Sequence, residues 1–252
     1  MNQYGGKFFI VDFKSYNGKI PYIITDIIYK LNEIKSEQFE GIFRKNGPRH
    51  EINSLCQQLD SNKIKEWKEE YLDVFVLSCT LKRFMAQHSK NDDTIIDKHM
   101  ETILQEIYEN YKDNEEERII QYKFFFHSLC SDDTRRFTLA FLLKYLHKIS
   151  LNSEHNLMHA GNLSKVFFLN LFPLFDDSDS KNNNDVDFGE NIKNSINKEI
   201  LEDLIKKGDL LMDELDSEDF QKTLLMNDED IQNFVFPDEK SKKQKMSGCI
   251  IN

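Results

Sequence analysis

Apolar residues recur along this chain at helical spacing through most of its length, with short polar connectors between the periodic runs. Residues 7–13 (Lys-Phe-Phe-Ile-Val-Asp-Phe) are apolar and β-prone and read as an extended lead-in. Pro21 takes a first helical position, and Ile23, Ile24, Ile27, Ile28 and Leu31 then define one buried face. A loop at Glu40 to Gly47 follows, and Gly47-Pro48 restarts a helix carrying Ile52, Leu55 and Leu59. From Tyr71 to Gln87 the chain is apolar over most of a helical circumference, which predicts a central helix with Lys82 as its lone charge near the C-terminal end. Thr94 to Tyr111 repeats Ile95, Ile96, Met100, Ile103, Leu104 and Ile107, and a charged connector leads to a helix with Ile119, Ile120, Phe124 and Leu129. Asp132-Asp133 open the next helix, with Phe137, Leu139, Leu142, Leu143, Leu146 and Ile149 facing inward. Asn162 to Phe172 forms another, ended by Pro173, and a last one carries Ile196, Ile200, Leu201, Leu204, Ile205 and Leu211.

Strand-like segments are scarce and no repeat is visible. The expected fold is all-α, a single bundle of about eight or nine helices over residues 8–215, followed by a charged tail at 216–252. Residues 176–190, rich in Asp, Ser and Asn, cannot bury a core and read as an acidic, disordered loop. Composition agrees with a polar appendage: 39% of the 252 residues are hydrophobic and the mean hydropathy is −0.59.

Charge narrows the partners. Lys and Arg number 33 against 44 Asp and Glu, a net −11, which argues against general nucleic-acid binding and favours a partner with a basic patch at long range. The four cysteines, Cys56, Cys79, Cys130 and Cys249, include no C-x-x-C pair, so neither a zinc cluster nor a disulfide framework is expected. No signal-peptide core is visible at Met1 to Lys7 and no apolar run approaches ~18 residues, which reads as a soluble, cytoplasmic protein of a reducing compartment.

The chain shows no G-x-S-x-G elbow, no Walker-type phosphate loop and no Rossmann glycine pattern, so no chemistry of its own and no cofactor is expected. His155 and His159 stand four apart, a spacing that on one helical face would present two imidazoles. Position 156 is Asn where a zinc protease would have Glu, and no third ligand is evident, so no metal site is assigned. The loop Glu40-Gly41-Ile42-Phe43-Arg44-Lys45-Asn46-Gly47 is more informative. Ile42 and Phe43 are apolar plugs that pin the loop to the core and leave Arg44 projecting into solvent, an arrangement suited to bidentate contact with an anion. Lys82 by itself admits a plainer reading, an ammonium snorkelling off a core helix or resting on its dipole.

This loop resembles the E-G-I-F-R-x-x-G signature of the Rho-family GTPase-activating (RhoGAP) domain. Two further stretches match that family in order: Thr80-Leu81-Lys82-Arg83-Phe84 resembles its L-L-K-x-F segment, and Asn156 to Phe167 resembles its N-x-M-x-x-x-N-L-A-x-V-F segment. Ile20-Pro21 before an apolar helix fits as well. The resemblance implies that Arg44 is the arginine finger, inserted in trans beside the phosphates of a GTP-bound Rho/Rac/Cdc42-type GTPase. It implies that Lys82 supports the loop and the GTPase contact, and that Asn162 hydrogen-bonds at the interface, its alternative being a helix N-cap.

The chain also departs from the family. Ala86 stands where an arginine usually contacts the GTPase, and Gln87-His88-Ser89-Lys90 replaces a proline-rich run. Arg83 is a candidate substitute for the missing arginine, and a non-catalytic GTPase-binding module or scaffold is the alternative function. The terminus Cys249-Ile250-Ile251-Asn252 has the C-a-a-X form of a prenylation site, with Lys240, Lys242, Lys243 and Lys245 just upstream, although Asn is not a usual last residue. A prenylated Cys249 with the Lys240–Lys245 segment would make a two-part membrane anchor.

Overall fold

The structure, a computed structural model, describes residues 9, 11–60, 71–90, 93–130, 132–173, 186–212 and 225–226, with backbone alone at 89–90 and 186–192. These residues contain nine α-helices: Tyr22–Glu33 (α1), Arg49–Asp60 (α2), Val74–Lys90 (α3), Lys98–Asn110 (α4), Glu115–Phe124 (α5), Asp133–Leu151 (α6), Ser153–Asn156 (α7), Ala160–Leu171 (α8) and Val186–Lys206 (α9). Among the described residues β pairing is confined to an isolated parallel bridge between Ile20 and Leu225. The all-α class read from the periodicity is the observed one.

Local capping chemistry sets where these helices begin, often a few residues from where the apolar pattern begins. Asp73 accepts from the amides of Phe75 (2.8 Å) and Val76 (2.9 Å), so α3 starts at Val74 and the buried Tyr71 lies ahead of it. Asp97 accepts from Met100 at 2.9 Å and starts α4 at Lys98, past Ile95 and Ile96, which are buried without being helical. Pro21 is the N-cap of α1, one residue before the position expected for it. Asp132 caps α6 through the amide of Arg135 at 2.8 Å, as expected.

The helix α3 packs against α1, α2 and α8, and α8 in turn lies against α9. Val76, Leu77, Leu81, Phe84 and Met85 of α3 are fully buried, as are Ile23, Ile24, Ile27 and Leu31 of α1 and Leu163, Phe167 and Leu171 of α8. Removing each such side chain from water contributes about 1.5–3 kcal/mol before chain entropy is counted. No helix among the described residues is long and apolar enough to cross a membrane.

Several expectations change. The lead-in is not extended throughout: Phe13–Tyr16 is a 3-10 turn capped by Asp12, whose carboxylate accepts from Lys14 at 2.8 Å. In α5, Ile120 and Phe124 are 56% and 52% exposed, and the buried face carries Arg118 and Tyr122 instead. Arg118 can be buried because Asp203 accepts from its Nε at 2.6 Å and the carbonyls of Tyr111 and Lys112 accept from its Nη1 at 2.8 Å. The helix α9 begins at Val186, inside the segment expected to be a loop, and ends at Lys206, so the buried Leu211 lies beyond it. Residues 174–185, and Cys249 with the Lys240–Lys245 segment, lie outside the described residues.

Candidate functional site

The loop between α1 and α2 is built on two residues in the left-handed backbone region. Gly41 has φ +74° and Phe43 φ +65°. For Phe43 that conformation costs roughly 1–2 kcal/mol, offset by complete burial of its ring edge-on to Phe167 (centroids 4.9 Å apart) and Tyr145 (6.2 Å). The amides of Arg44 and Lys45 both donate to the Gly41 carbonyl, at 2.9 and 2.8 Å, closing a tight turn. Ile42 is fully buried as well. Arg44, next along, is exposed. Lys45 folds back to pair with Glu40 at 3.0 Å.

Three contacts fix this loop to the bundle. The first comes from Lys82 of α3, whose ammonium donates to the Phe43 carbonyl. Burial lowers the Lys82 pKa from its ordinary value, as befits an amine turned inward. The ammonium is thus engaged by the loop backbone, midway along α3 and away from the dipole end of that helix. The second is Gly47, packed so closely on α3 that a Cβ there would lie 2.8 Å from the Val76 nitrogen and 2.9 Å from the Phe75 carbonyl carbon. The third is Asn156, at the end of α7, whose main-chain carbonyl accepts from the Gly41 amide at 2.7 Å.

Asn156 was not among the expected site residues, yet it ties three segments together. It is fully buried, donates through Nδ2 to the carbonyls of Glu37 (2.9 Å) and Ile149 (2.8 Å), and accepts through Oδ1 from the Met158 amide (2.7 Å). The signal for it lay in the quoted Asn156 to Phe167 segment, which it heads. Leu157 follows with φ +60° and ends α7, so His155 and His159 fall on different elements and present no shared helical face.

His159 is the N-cap of α8, which places Asn162 inside the first turn and rules out the cap reading. The partly exposed Asn162 donates through Nδ2 to the Leu157 carbonyl at 3.0 Å. It is thus linked to the arginine loop through Leu157 and the adjacent Asn156. Beside the loop lies an open groove of about 510 Å³ between α2, α3 and α8, with Lys82, Arg83, Ala86 and Asn170 on its walls. Arg83 donates to Asn53 of α2 at 2.7 Å.

Residues 21–176 match the family model described as the RhoGAP domain. No curated protein matches the chain. Among solved structures it is similar to human Rho GTPase activating protein 15, at 19% identity and a TM-score of 0.60, over 75% of this chain and 82% of that one. It is likewise similar to the BH domain of GRAF, the GTPase regulator associated with focal adhesion kinase, at 18% identity and a TM-score of 0.59, over 76% of this chain and 93% of that one. With a family match over more than half its length and the same all-α fold in these structures, the chain belongs to the RhoGAP domain family.

Proposed function

We propose that this domain is a GTPase-activating protein for a Rho-family small GTPase in its GTP-bound state, and that Arg44 is its arginine finger. The reading is carried by one observation: Arg44 is exposed while the backbone just before it is bound to α3 and α7 and Gly47 after it packs against α3. Such an arginine costs little conformational entropy to deliver, because its loop is already ordered. In the GTPase, hydrolysis is slow because negative charge on the transferring phosphoryl oxygens is incompletely neutralised. A guanidinium inserted in trans remains charged, forms two directed hydrogen bonds and raises such rates by ~10³ to 10⁵. By barrier arithmetic that is roughly 4–7 kcal/mol of transition-state stabilisation. The domain performs no bond-making itself. Lys82 acts by holding the Phe43 carbonyl, and Asn162 by contacting the GTPase from the start of α8.

The test is single-turnover GTP hydrolysis by a panel of Rho-type GTPases with wild type and Arg44→Ala. Stimulation by wild type that the substitution abolishes, with binding to the GTP-loaded GTPase retained, is the expected result. Stimulation undiminished in Arg44→Ala would sink the mechanism. A second reading is favoured by Ala86, which lines the groove where the resemblance led us to expect an arginine. On it the domain binds a GTPase as a scaffold without activating it. Measurable binding with equal hydrolysis in its presence and absence would select that reading.

A further inference from the structure

Ile120 and Phe124 lie one turn apart on α5, 56% and 52% exposed, on the side opposite the buried Arg118 and Tyr122. One exposed apolar side chain is ordinary, but an aliphatic and an aromatic residue aligned at i and i+4 form a stripe. The stripe runs on to the exposed Glu116, one turn before Ile120. The outer face of α5 is therefore apolar toward its C-terminal end and acidic at its start, where Asp113, Glu115 and Glu117 join Glu116. Elsewhere on the bundle the C-terminal part of the chain is fastened at Leu225. Leu225 makes the parallel bridge to Ile20, its carbonyl accepts from the Lys19 ammonium at 3.5 Å, and Leu225 and Met226 pack on the core. That fastening lies close to the C-terminal end of α5. The Gly18 amide donates to Thr134 Oγ1 at 2.9 Å, and in the same turn of α6 Arg136 donates at 3.4 Å to the carbonyl of His127, three residues past Phe124. Beyond Met226 the sequence places an apolar cluster first, Ile231, Phe234, Val235 and Phe236, and a basic run second, Lys240, Lys242, Lys243 and Lys245.

We infer that residues 231–245 of this chain dock on the outer face of α5, the apolar cluster over Phe124 and Ile120 and the lysines over the acidic first turn. Order carries the inference. Read from the end of α5 nearer Leu225, the face is apolar and then acidic; read from Leu225, the chain is apolar and then basic. The lengths agree as well. Five residues separate Met226 from Ile231 and four separate Phe236 from Lys240, enough to span up to ~17 and ~14 Å of extended chain. From Phe124 back to Glu116 the helix rises ~12 Å. Apolar burial holds the segment, while lysine–carboxylate pairs at an exposed, screened rim set its direction. Because the segment is tethered at Leu225, its local concentration at α5 is high and weak contacts suffice. Docking in cis withdraws an exposed apolar pair and a basic run from other chains at once. The helix α5 packs against α4 and the π-helical turn Phe125–Leu129, whereas the arginine loop is held by α3 and α7, so the dock leaves Arg44 uncovered. The inference stands whether or not the domain activates a GTPase.

The experiment is carbodiimide cross-linking of the full chain, which joins lysine amines to carboxylates in contact, mapped by mass spectrometry for wild type and the double variant Ile120→Ser/Phe124→Ser. The Lys207–Glu115 pair, 2.5 Å apart, is the internal reference and reports that each chain is folded. An equal mixture of unlabelled and isotope-labelled chains distinguishes links within one chain from links between two. In wild type the lysines from Lys240 to Lys245 are expected to link to Asp113, Glu115, Glu116 or Glu117 within one chain. Relative to the reference, that yield falls about tenfold in the double variant, as loss of the apolar contact requires, and it also falls at high salt. Links from these lysines scattered over other carboxylates, a yield the double variant leaves unchanged, or no such link while the reference pair forms, each overturns the dock. Links joining labelled to unlabelled chains overturn it too, because the occupant of α5 is then a second copy.

Discussion

The ammonium of Lys82, on α3, donates to the main-chain carbonyl of Phe43, the residue immediately before Arg44. A side chain on the rigid central helix thus sets the height of the exposed arginine above the bundle. Lys82→Met keeps the aliphatic stem and removes the donor. The maximal stimulated rate of GTP hydrolysis is expected to fall about 10- to 100-fold, because displacements near 1 Å in a reacting assembly cost that much. Stability is expected to fall by about 1–2 kcal/mol, since the Phe43 carbonyl loses its donor while the ammonium no longer has to be buried. Single-turnover kinetics at saturating activator, alongside thermal melting, makes the measurement. Full stimulation by Lys82→Met would mean that the loop does not depend on this contact.

Arg44, Ile42 and Phe43 were legible from sequence because an apolar pair beside a glycine in a polar connector has few ways to pack. The contacts that hold the loop were not. Phe43 meets Lys82 across 39 positions, and helical periodicity reports which face is buried without reporting which polar group reaches across it. Asn156 was hidden for the same reason, since its partners Glu37 and Ile149 share no local pattern with it. Helix starts were misplaced where an aspartate cap overrode the apolar run, at Asp73 and Asp97. The face of α5 was misjudged because Arg118, fully partnered, took an inward position that periodicity assigns to an apolar residue.

The two glycines of the loop should respond differently to substitution. At Gly47 an added methyl meets the α3 backbone at 2.8–2.9 Å, which cannot yield without moving either the helix or the loop. Gly47→Ala is expected to destabilise by about 1–3 kcal/mol and to cut stimulation of the GTPase, because the end of the loop shifts. At Gly41 the nearest atoms are in the flexible Lys45 side chain, from 2.9 Å, so the cost is mainly that of φ +74°. Gly41→Asn, a residue that tolerates this region, should therefore be milder than Gly41→Val. Urea midpoints for the three variants test the order; equal losses at both glycines would contradict it.

Asn156 is a stability determinant whose removal also loosens the arginine loop. Asn156→Ala leaves the buried carbonyls of Glu37 and Ile149 and the amide of Met158 without this partner. Each such group costs about 1–3 kcal/mol when unsatisfied, so a loss of roughly 3 kcal/mol or more is expected after partial relaxation. Asn156→Asp should be no better, since a carboxylate cannot donate to either carbonyl. Because the Gly41 amide bonds the Asn156 main chain at 2.7 Å, its hydrogen exchange should accelerate more than that of the α6 core amides. Unchanged Gly41 protection in Asn156→Ala would separate the two roles.

The fold should be lost at alkaline pH, and the sign follows from burial. Desolvation raises the pKa of Tyr16, Tyr22, Tyr122 and Tyr145 above the ordinary 10.0. It pushes the Cys56 thiol up from 9.0 to about 11 and that of Cys130 to about 12. A raised folded-state pKa means that the native chain holds protons the unfolded chain releases. The stability from these neutral groups is complete below about pH 9, where the unfolded thiols are still protonated. It drains away as pH rises, first through the thiols between about pH 9 and 12, then through the phenols above their ordinary value. The urea midpoint should therefore fall steadily above about pH 9. Phenolate absorbance should rise in two phases, exposed tyrosines titrating reversibly and the buried ones ionising together with loss of the helical circular dichroism signal. Cys56→Ala and Cys130→Ala should flatten the early part of the decline. Ionisation of every tyrosine in one wave, with helicity retained, would show that these phenols are not held by the packed core.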